Sequence, residues 1–278
     1  MGFPSPDDPR LLSAMPLQIL HSSLVLLFFG IILGVLTTLF SQLVHNDYYA
    51  FLALGPGGTP QTIFGYLKIK LLGLFAIRDP YKPASIPAGL PRPGYLTSVP
   101  KRVGPRPDVR GIAPHRQMDQ RHTGEIHQRF RTFITELVAK NPQGLENGTS
   151  CLEKHGLGLF AAMPLNKTGN CPREIFHLHA FDGSSHLTLH PADASLVIRN
   201  GWGQTHPLGS GGWLRRWVPK GFMMVYAPRD EAELEVVKEI VAAACWWVGG
   251  VDVNGKMQAN PPVERWTECS EVDGVRLL

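Results

Sequence analysis

From Leu17 to Val44 the sequence contains no Asp, Glu, Lys or Arg. An uncharged run of that length is too apolar for the surface of a soluble domain and long enough to cross the hydrocarbon core of a bilayer as a tilted helix. Charge is sparse over the whole chain, at 18% charged against 44% hydrophobic residues, below the soluble average of about 25% charged. There are only four cysteines, Cys151, Cys171, Cys245 and Cys269. With no CxxC among them, neither a zinc ribbon nor a dense disulfide framework is signalled, and they read as free thiols in a reducing compartment. No glycine-rich phosphate loop, GxSxG elbow or HExxH motif is present, so nothing points to a nucleotide, flavin or haem. The net charge of +4 is modest, and the basic residues cluster between Lys68 and Arg131 rather than forming a lysine tract. That distribution argues against nucleic acid as a partner and favours a membrane surface or an anionic small molecule.

The chain divides into unequal segments. A tail (1–16) precedes the anchor (17–44), which is expected to stay uncleaved: its apolar run exceeds a signal-peptide core, and no small-x-small site occurs before His45-Asn46-Asp47. The flanking charges give no positive-inside preference. Read with free thiols, the protein is expected to be a single-pass endomembrane protein with its folded domain cytosolic. The sequons at Asn147 and Asn166 would be acceptors only on the lumenal side. A membrane-proximal helical segment (45–78) places Phe64, Leu67, Leu71, Leu74 and Phe75 at helical spacing around Lys68 and Lys70, which suits a helix on a membrane surface or one facing a core. The next segment (79–118) is rich in proline and arginine, which excludes long helices and central strands. It is expected to be a linker, or a wrap that helps line a pocket.

The remaining order predicts the fold class. An amphipathic helix is expected over Gln120–Lys140, strands over Leu157–Met163, Arg173–Leu178, His186–Leu189 and Gly221–Tyr226, and helices over Pro191–Asn200 and from Asp230 to Trp247. Short hairpin-linked strands covered by helices indicate an α+β domain with a small antiparallel sheet (119–250), preceded by the transmembrane helix and the proline-rich segment. The final tail (251–278) carries no clear signal.

Five of the eleven histidines, His177, His179, His186, His190 and His206, fall within thirty residues. On a strand His177 and His179 share a face, and the turn Asp182-Gly183-Ser184 would bring His186 opposite them. Such a cluster can act as general base, can hold a divalent metal through His177, His179 and His186, or can be structural. His190, followed by Pro191, sits where a helix cap would. Trp202 suits stacking on a planar ligand or filling a gap in the core. Arg106, Arg116 and Arg229 are candidate anion clamps.

One combination is distinctive: His177-Leu-His179, Asp182-Gly-Ser, His186-Leu-Thr-Leu, Gly201-Trp-Gly-Gln-Thr-His206-Pro-Leu and Val225-Tyr-Ala-Pro-Arg229-Asp-Glu, preceded by Asp47-Tyr-Tyr-Ala-Phe-Leu-Ala-Leu-Gly-Pro-Gly after an apolar helix. It resembles the fungal luciferase-like family. The resemblance implies oxidation of an α-pyrone such as 3-hydroxyhispidin by O₂, with no organic cofactor, through O₂ addition to the substrate anion and loss of CO₂ from an endoperoxide. It implies His177, His179, His186 and His206 as catalytic candidates, with His177 or His179 as base. Trp202, Gln204, Arg116, Arg229 and Tyr226 are the corresponding substrate-binding candidates. The partners so implied are a pyrone or phenolic metabolite and a membrane. The alternatives are a metalloenzyme using the histidine cluster and a non-catalytic tethered binding protein.

Overall fold

A computed structural model describes residues 15–83, 85–165 and 171–257, in two compact units divided between Ala53 and Leu54. The first is a single helix, α1 (Met15–Ala53, 39 residues). It outlasts the expected 17–44 because no proline or glycine follows Val44 until Gly55-Pro56. Its portion His21–Ala53 is long and apolar enough to cross a membrane, about 50 Å at about 1.5 Å per residue. Every side chain from His21 to Asn46 is exposed.

The second unit begins with α2 (Ile63–Gly73), whose N-terminus is capped by the Thr62 hydroxyl accepting from Gly65 N at 3.2 Å. This helix buries Tyr66, Ile69 and Leu72 while Phe64, Leu67 and Leu71, followed by Leu74 and Phe75, stay exposed. It therefore has an apolar inner side and an apolar outer side. After it come β1 (Val109–Gly111), β2 (His115–Gln117), α3 (Gly124–Lys140), β3 (Leu145–Thr149), β4 (Leu157–Ala161), β5 (Glu174–Leu178), β6 (Ser185–Thr188), α4 (Pro191–Arg199), β7 (Gly203–Thr205), β8 (Phe222–Val225) and α5 (Glu231–Gly249).

The α+β class is the observed one. β1 and β2 form an antiparallel ribbon, and the remaining strands form one antiparallel sheet in the order β3-β4-β5-β6-β8-β7. Register puts Leu159, Phe176, Leu187 and Met223 in one cross-strand row. That row packs into the main core with Phe130 and Ile134 of α3 and Val237, Ile240 and Val241 of α5. Asp230 caps α5 by accepting from Glu233 N at 2.8 Å, as its sequence pattern suggests. The next row along, Gly158, His177, His186 and Met224, faces the other way. β3 and β7 were not anticipated, since both are short and Leu145–Thr149 has only one buried position.

The proline-rich segment wraps the domain. Buried Asp193 in the first turn of α4 accepts from Tyr95 N and Leu96 N, both at 2.9 Å, and Trp202 Nε1 donates to Pro100 O at 2.6 Å. Arg106 donates to Gly203 O at 3.0 Å. These bonds satisfy backbone groups that prolines would otherwise leave without a strand partner, and they deliver residues 112–116 to the sheet's second face.

The cysteine reading needs one correction. Cys151 and Cys171 are joined by a disulfide with Cα atoms 6.3 Å apart, within the usual span, and are not free thiols. Cys245 is free and buried. Cys269, like Asn166, lies outside the described residues.

Candidate functional site

The second face of the sheet gathers five imidazoles: His177 from β5, His179 just beyond it, His186 from β6, His206 after β7 and His115 from β2. All are at most 4% exposed. Cross-strand register sets His177 directly opposite His186. The turn 182–184 brings His179 alongside, its ring centroid 4.6 Å from that of His186. Gly183 is required there: its φ is +77°, and a Cβ would sit 1.6 Å from His122 Cδ2. Phe222 stacks on His186 with centroids 5.0 Å apart, closing the apolar side.

The bonds between these rings form an ordered series. Glu174 Oε1 lies 2.6 Å from His177 Nδ1, His177 Nε2 lies 3.2 Å from His186 Nδ1, and His186 Nε2 lies 3.0 Å from His115 Nδ1. Burial opposes a charge on Glu174, but bonds from His177 and Ser150 and the attraction of His177 outweigh it and hold the carboxyl below its usual range. An ionised Glu174 accepts, so His177 carries its proton on Nδ1. The same tautomer then follows for His186 and His115. The series ends at His115 Nε2, a lone pair with no hydrogen bond among the described residues.

Burial lowers the basicity of four of the rings, His115, His179, His186 and His206. His115 and His186 are held well below 6.5, first by desolvation and then by neighbouring imidazoles. Desolvation takes His206 down to about 3 against a bond to Ile112 O. His179 is lowered by burial despite Asp182, which stands 3.6 Å from its Nδ1. Ser184 bridges the two, lying 2.9 Å from His179 Nδ1 and donating to Asp182 at 2.6 Å. Asp182 in turn accepts from Gln117 N at 3.1 Å, tying β2 to this turn.

These imidazoles line a cavity of about 120 Å³ together with Arg116, Glu153, Phe222 and, from α2, Lys68, Ile69 and Leu72. Lys68 is exposed, so the cavity runs from the surface to the rings. Arg116 and Glu153 form a buried ion pair at 2.6 Å. Its Arg116 Nε and Glu153 Oε2 have no hydrogen-bond partner among the described residues, leaving one donor and one acceptor for a ligand. A second cavity of about 880 Å³, lined by Arg78, Lys82, Thr188, Leu189, Met223 and Trp247, holds no imidazole.

Of the residues singled out from sequence, His177, His179, His186, His206 and Arg116 meet at the first cavity. Trp202, Gln204, Tyr226 and Arg229 do not line it. Trp202 is buried beneath Arg102, 6.0 Å from its ring, and Tyr226 donates to Gln204 at 3.0 Å. Arg229 pairs with Glu233. His190 is an N-cap, its Nδ1 accepting from Ala192 N at 3.1 Å. Sequence reasoning did not find His115, Glu153, Glu174 or Phe222. Glu174 lies three residues before His177, a spacing with no meaning for a strand, and His115 lies in a segment whose composition advertises only irregular chain.

A luciferase-domain family profile matches residues 172–244. The chain is 33% identical over 216 residues to a luciferase of Armillaria ostoyae, covering 72% of this chain and 80% of that protein. It is 32% identical over 227 residues to a luciferase of Armillaria gallica, covering 76% and 84%. With a luciferase of Neonothopanus nambi it shares 32% identity over 237 residues, 78% of this chain and 85% of the other. No solved structure matches it.

Proposed function

The chain belongs to the fungal luciferase family, and from that premise we propose that it oxidises a pyrone or phenolic metabolite of the 3-hydroxyhispidin type with O₂ at a membrane, without an organic cofactor. One observation carries the reading: a hydrogen-bonded imidazole series fixed at one end by an ionised carboxylate and open at the other to a cavity. The substrate hydroxyl gives its proton to His115 Nε2. The Nδ1 proton of His115 passes to His186 Nε2, and that of His186 to His177 Nε2. The positive charge then rests on His177 beside Glu174, where the carboxylate stabilises it. Arg116 Nε faces the oxyanion this leaves behind. The anion adds O₂ and the resulting endoperoxide loses CO₂. The cavity is too small for a whole drug-sized ligand, which takes about 300 Å³ or more, so it receives the reacting ring while the remainder extends past Lys68.

The outer apolar side of α2 belongs to the same proposal. Phe64, Leu67, Leu71, Leu74 and Phe75 are exposed on an element whose inner side lines the cavity, an arrangement suited to a bilayer surface. The length and apolarity of α1 support the single-pass membrane setting of this proposal. Its cytosolic orientation rested on free thiols and loses that support with the Cys151–Cys171 bond.

The test is oxygen uptake with parallel photon counting by the solubilised full chain, given 3-hydroxyhispidin and related pyrones. Uptake in the unaltered chain that disappears in folded His115→Ala supports the proposal; equal uptake in both overturns the assigned base. A second reading has its own support, because ring nitrogens of His115, His186 and His206, and again of His177, His179 and His186, converge within 4.8 Å. A divalent ion held by either set would supply Lewis-acid activation of substrate. Stoichiometric metal in the purified chain, with uptake lost on chelation, would replace the first reading by the second.

A further inference from the structure

We propose that Asn147 is an N-glycosylation acceptor and that the folded domain accordingly lies on the lumenal, oxidising side of its membrane. Two independent features carry this. The first is the acceptor's placement. Asn147-Gly148-Thr149 sits in β3, an edge strand bonded only to β4. Glu146, Asn147, Gly148 and Thr149 are all exposed, although strand residues alternate in direction. Both faces of the strand are therefore open at the sequon, and no side-chain hydrogen bond holds Asn147 among the described residues. A glycan there meets the requirement for a surface acceptor. It would also shield the unpaired edge, which otherwise offers a template for strand addition.

The second feature is chemical. Cys151, two residues beyond Thr149, is bonded to Cys171. Such a bond persists in the secretory lumen and not against the thiol pool of the cytosol. The bond also has structural work to do. The backbone N–H groups of Cys151 and Leu152 donate to Glu174 Oε2 at 2.8 and 3.2 Å, and Glu153 pairs with Arg116. An oxidised pair thus stabilises the segment that anchors the imidazole series. Acceptor and disulfide require the same compartment, and neither argument uses the proposed reaction.

The experiment is expression of the full chain in a eukaryotic host, followed by endoglycosidase digestion and, on a separate sample, thiol alkylation without reductant. The expected result is a mobility shift on digestion that is smaller in Asn147→Gln and in Thr149→Ala than in the unaltered chain, with Cys151 and Cys171 both protected from alkylation. Thr149→Ala removes the sequon while keeping Asn147, so a smaller shift in both variants cannot be laid to misfolding of one. A shift abolished only by Asn166→Gln would overturn the Asn147 assignment. No shift in the unaltered chain, with a glycosylated control protein in the same cells and both cysteines alkylated, would overturn the lumenal placement.

Discussion

The two faces of the six-stranded sheet are made by the same strands one residue out of phase, and over β5, β6 and β8 both are buried. On one face Leu159, Phe176, Leu187 and Met223 meet α5 through apolar contact alone. On the other, His177 and His186 stand opposite each other, with His115, His179 and His206 beside them. An apolar row gains from leaving water and needs no particular partner. A buried imidazole loses by the same move unless its nitrogens are bonded. The second face meets that requirement with bonds in a fixed order, from an ionised carboxylate to one open nitrogen. Burial does not distinguish core from site here; the direction of the hydrogen bonds does.

The comparison breaks most visibly on the apolar side. Phe176→Ala leaves a cavity under α5 and should cost about 3–5 kcal/mol of stability, read as a shift of the denaturation midpoint, with activity lost only as the domain unfolds. His115→Ala should do the reverse. Activity should fall by about 10²–10⁴ in kcat, the usual worth of a positioned base. Stability should change by no more than the ~1–3 kcal/mol of leaving His186 Nε2 unbonded. If His115→Ala unfolded the domain as Phe176→Ala does, the second face would be a core with polar parts rather than a site.

The apolar face was the more legible of the two in sequence. Short apolar runs within Arg173–Leu178 and Gly221–Tyr226 locate β5 and β8 within a residue or two, and the stripe Val237, Ile240, Val241 identifies the inner side of α5. Period and composition are local properties, and core packing follows them. The imidazole face was legible only where it is local as well: His177, His179 and His186 lie on one hairpin. His115 arrives from 62 residues before His177, on a two-stranded ribbon held by contacts to distant backbone. Glu174 is brought beside His177 at a point where the β4–β5 register shifts, which no period announces. Trp202 suits a stacking platform or a core filler equally in sequence, because a glycine-flanked tryptophan signals space in the fold as readily as a ligand, and in the fold it joins the core.

The remaining effects are smaller. Glu174→Gln keeps shape and removes the charge that orients the series, so kcat should fall by about tenfold to a hundredfold, less than for loss of the base itself. Its signature is a changed pH profile at unchanged substrate affinity; a purely structural role would move neither kcat nor the profile once the protein is folded. Stability should also depend on pH in one direction. An unfolded imidazole takes up a proton at about 6.5, whereas folded His206 does so at about 3, and folded His115 and His186 well below 6.5. Between those values the unfolded chain binds more protons, so stability is fully present above pH 6.5 and declines as pH falls towards 3. Glu174, lowered from 4.5, acts in the same sense at the acid end: its contribution is present above that value and lost as pH falls through the lower folded one. Denaturation midpoints measured from pH 8 to 4 should fall monotonically; a flat profile would mean that these rings are already charged in the fold.

The smallest effect on activity, and the sharpest on setting, concerns the outer side of α2. Leu67 is exposed and lines neither cavity. Leu67→Glu should therefore change stability by no more than about 0.5 kcal/mol and leave kcat on a water-soluble pyrone within about twofold. If α2 lies in the interface, the new carboxylate must be desolvated or the helix must lift, so KM should rise for a substrate dissolved in vesicles while the value for a water-soluble substrate with the chain in detergent stays put. A nitroxide on Phe64→Cys, in a Cys269→Ser background, reads the same question directly, since Cys245 is buried and the other two cysteines are bonded. Collisions with O₂ should exceed those with a water-soluble nickel chelate when the full chain is in vesicles. The opposite ratio would show that the exposed leucines face water, and that the way into the imidazole cavity past Lys68 opens to solvent rather than to lipid.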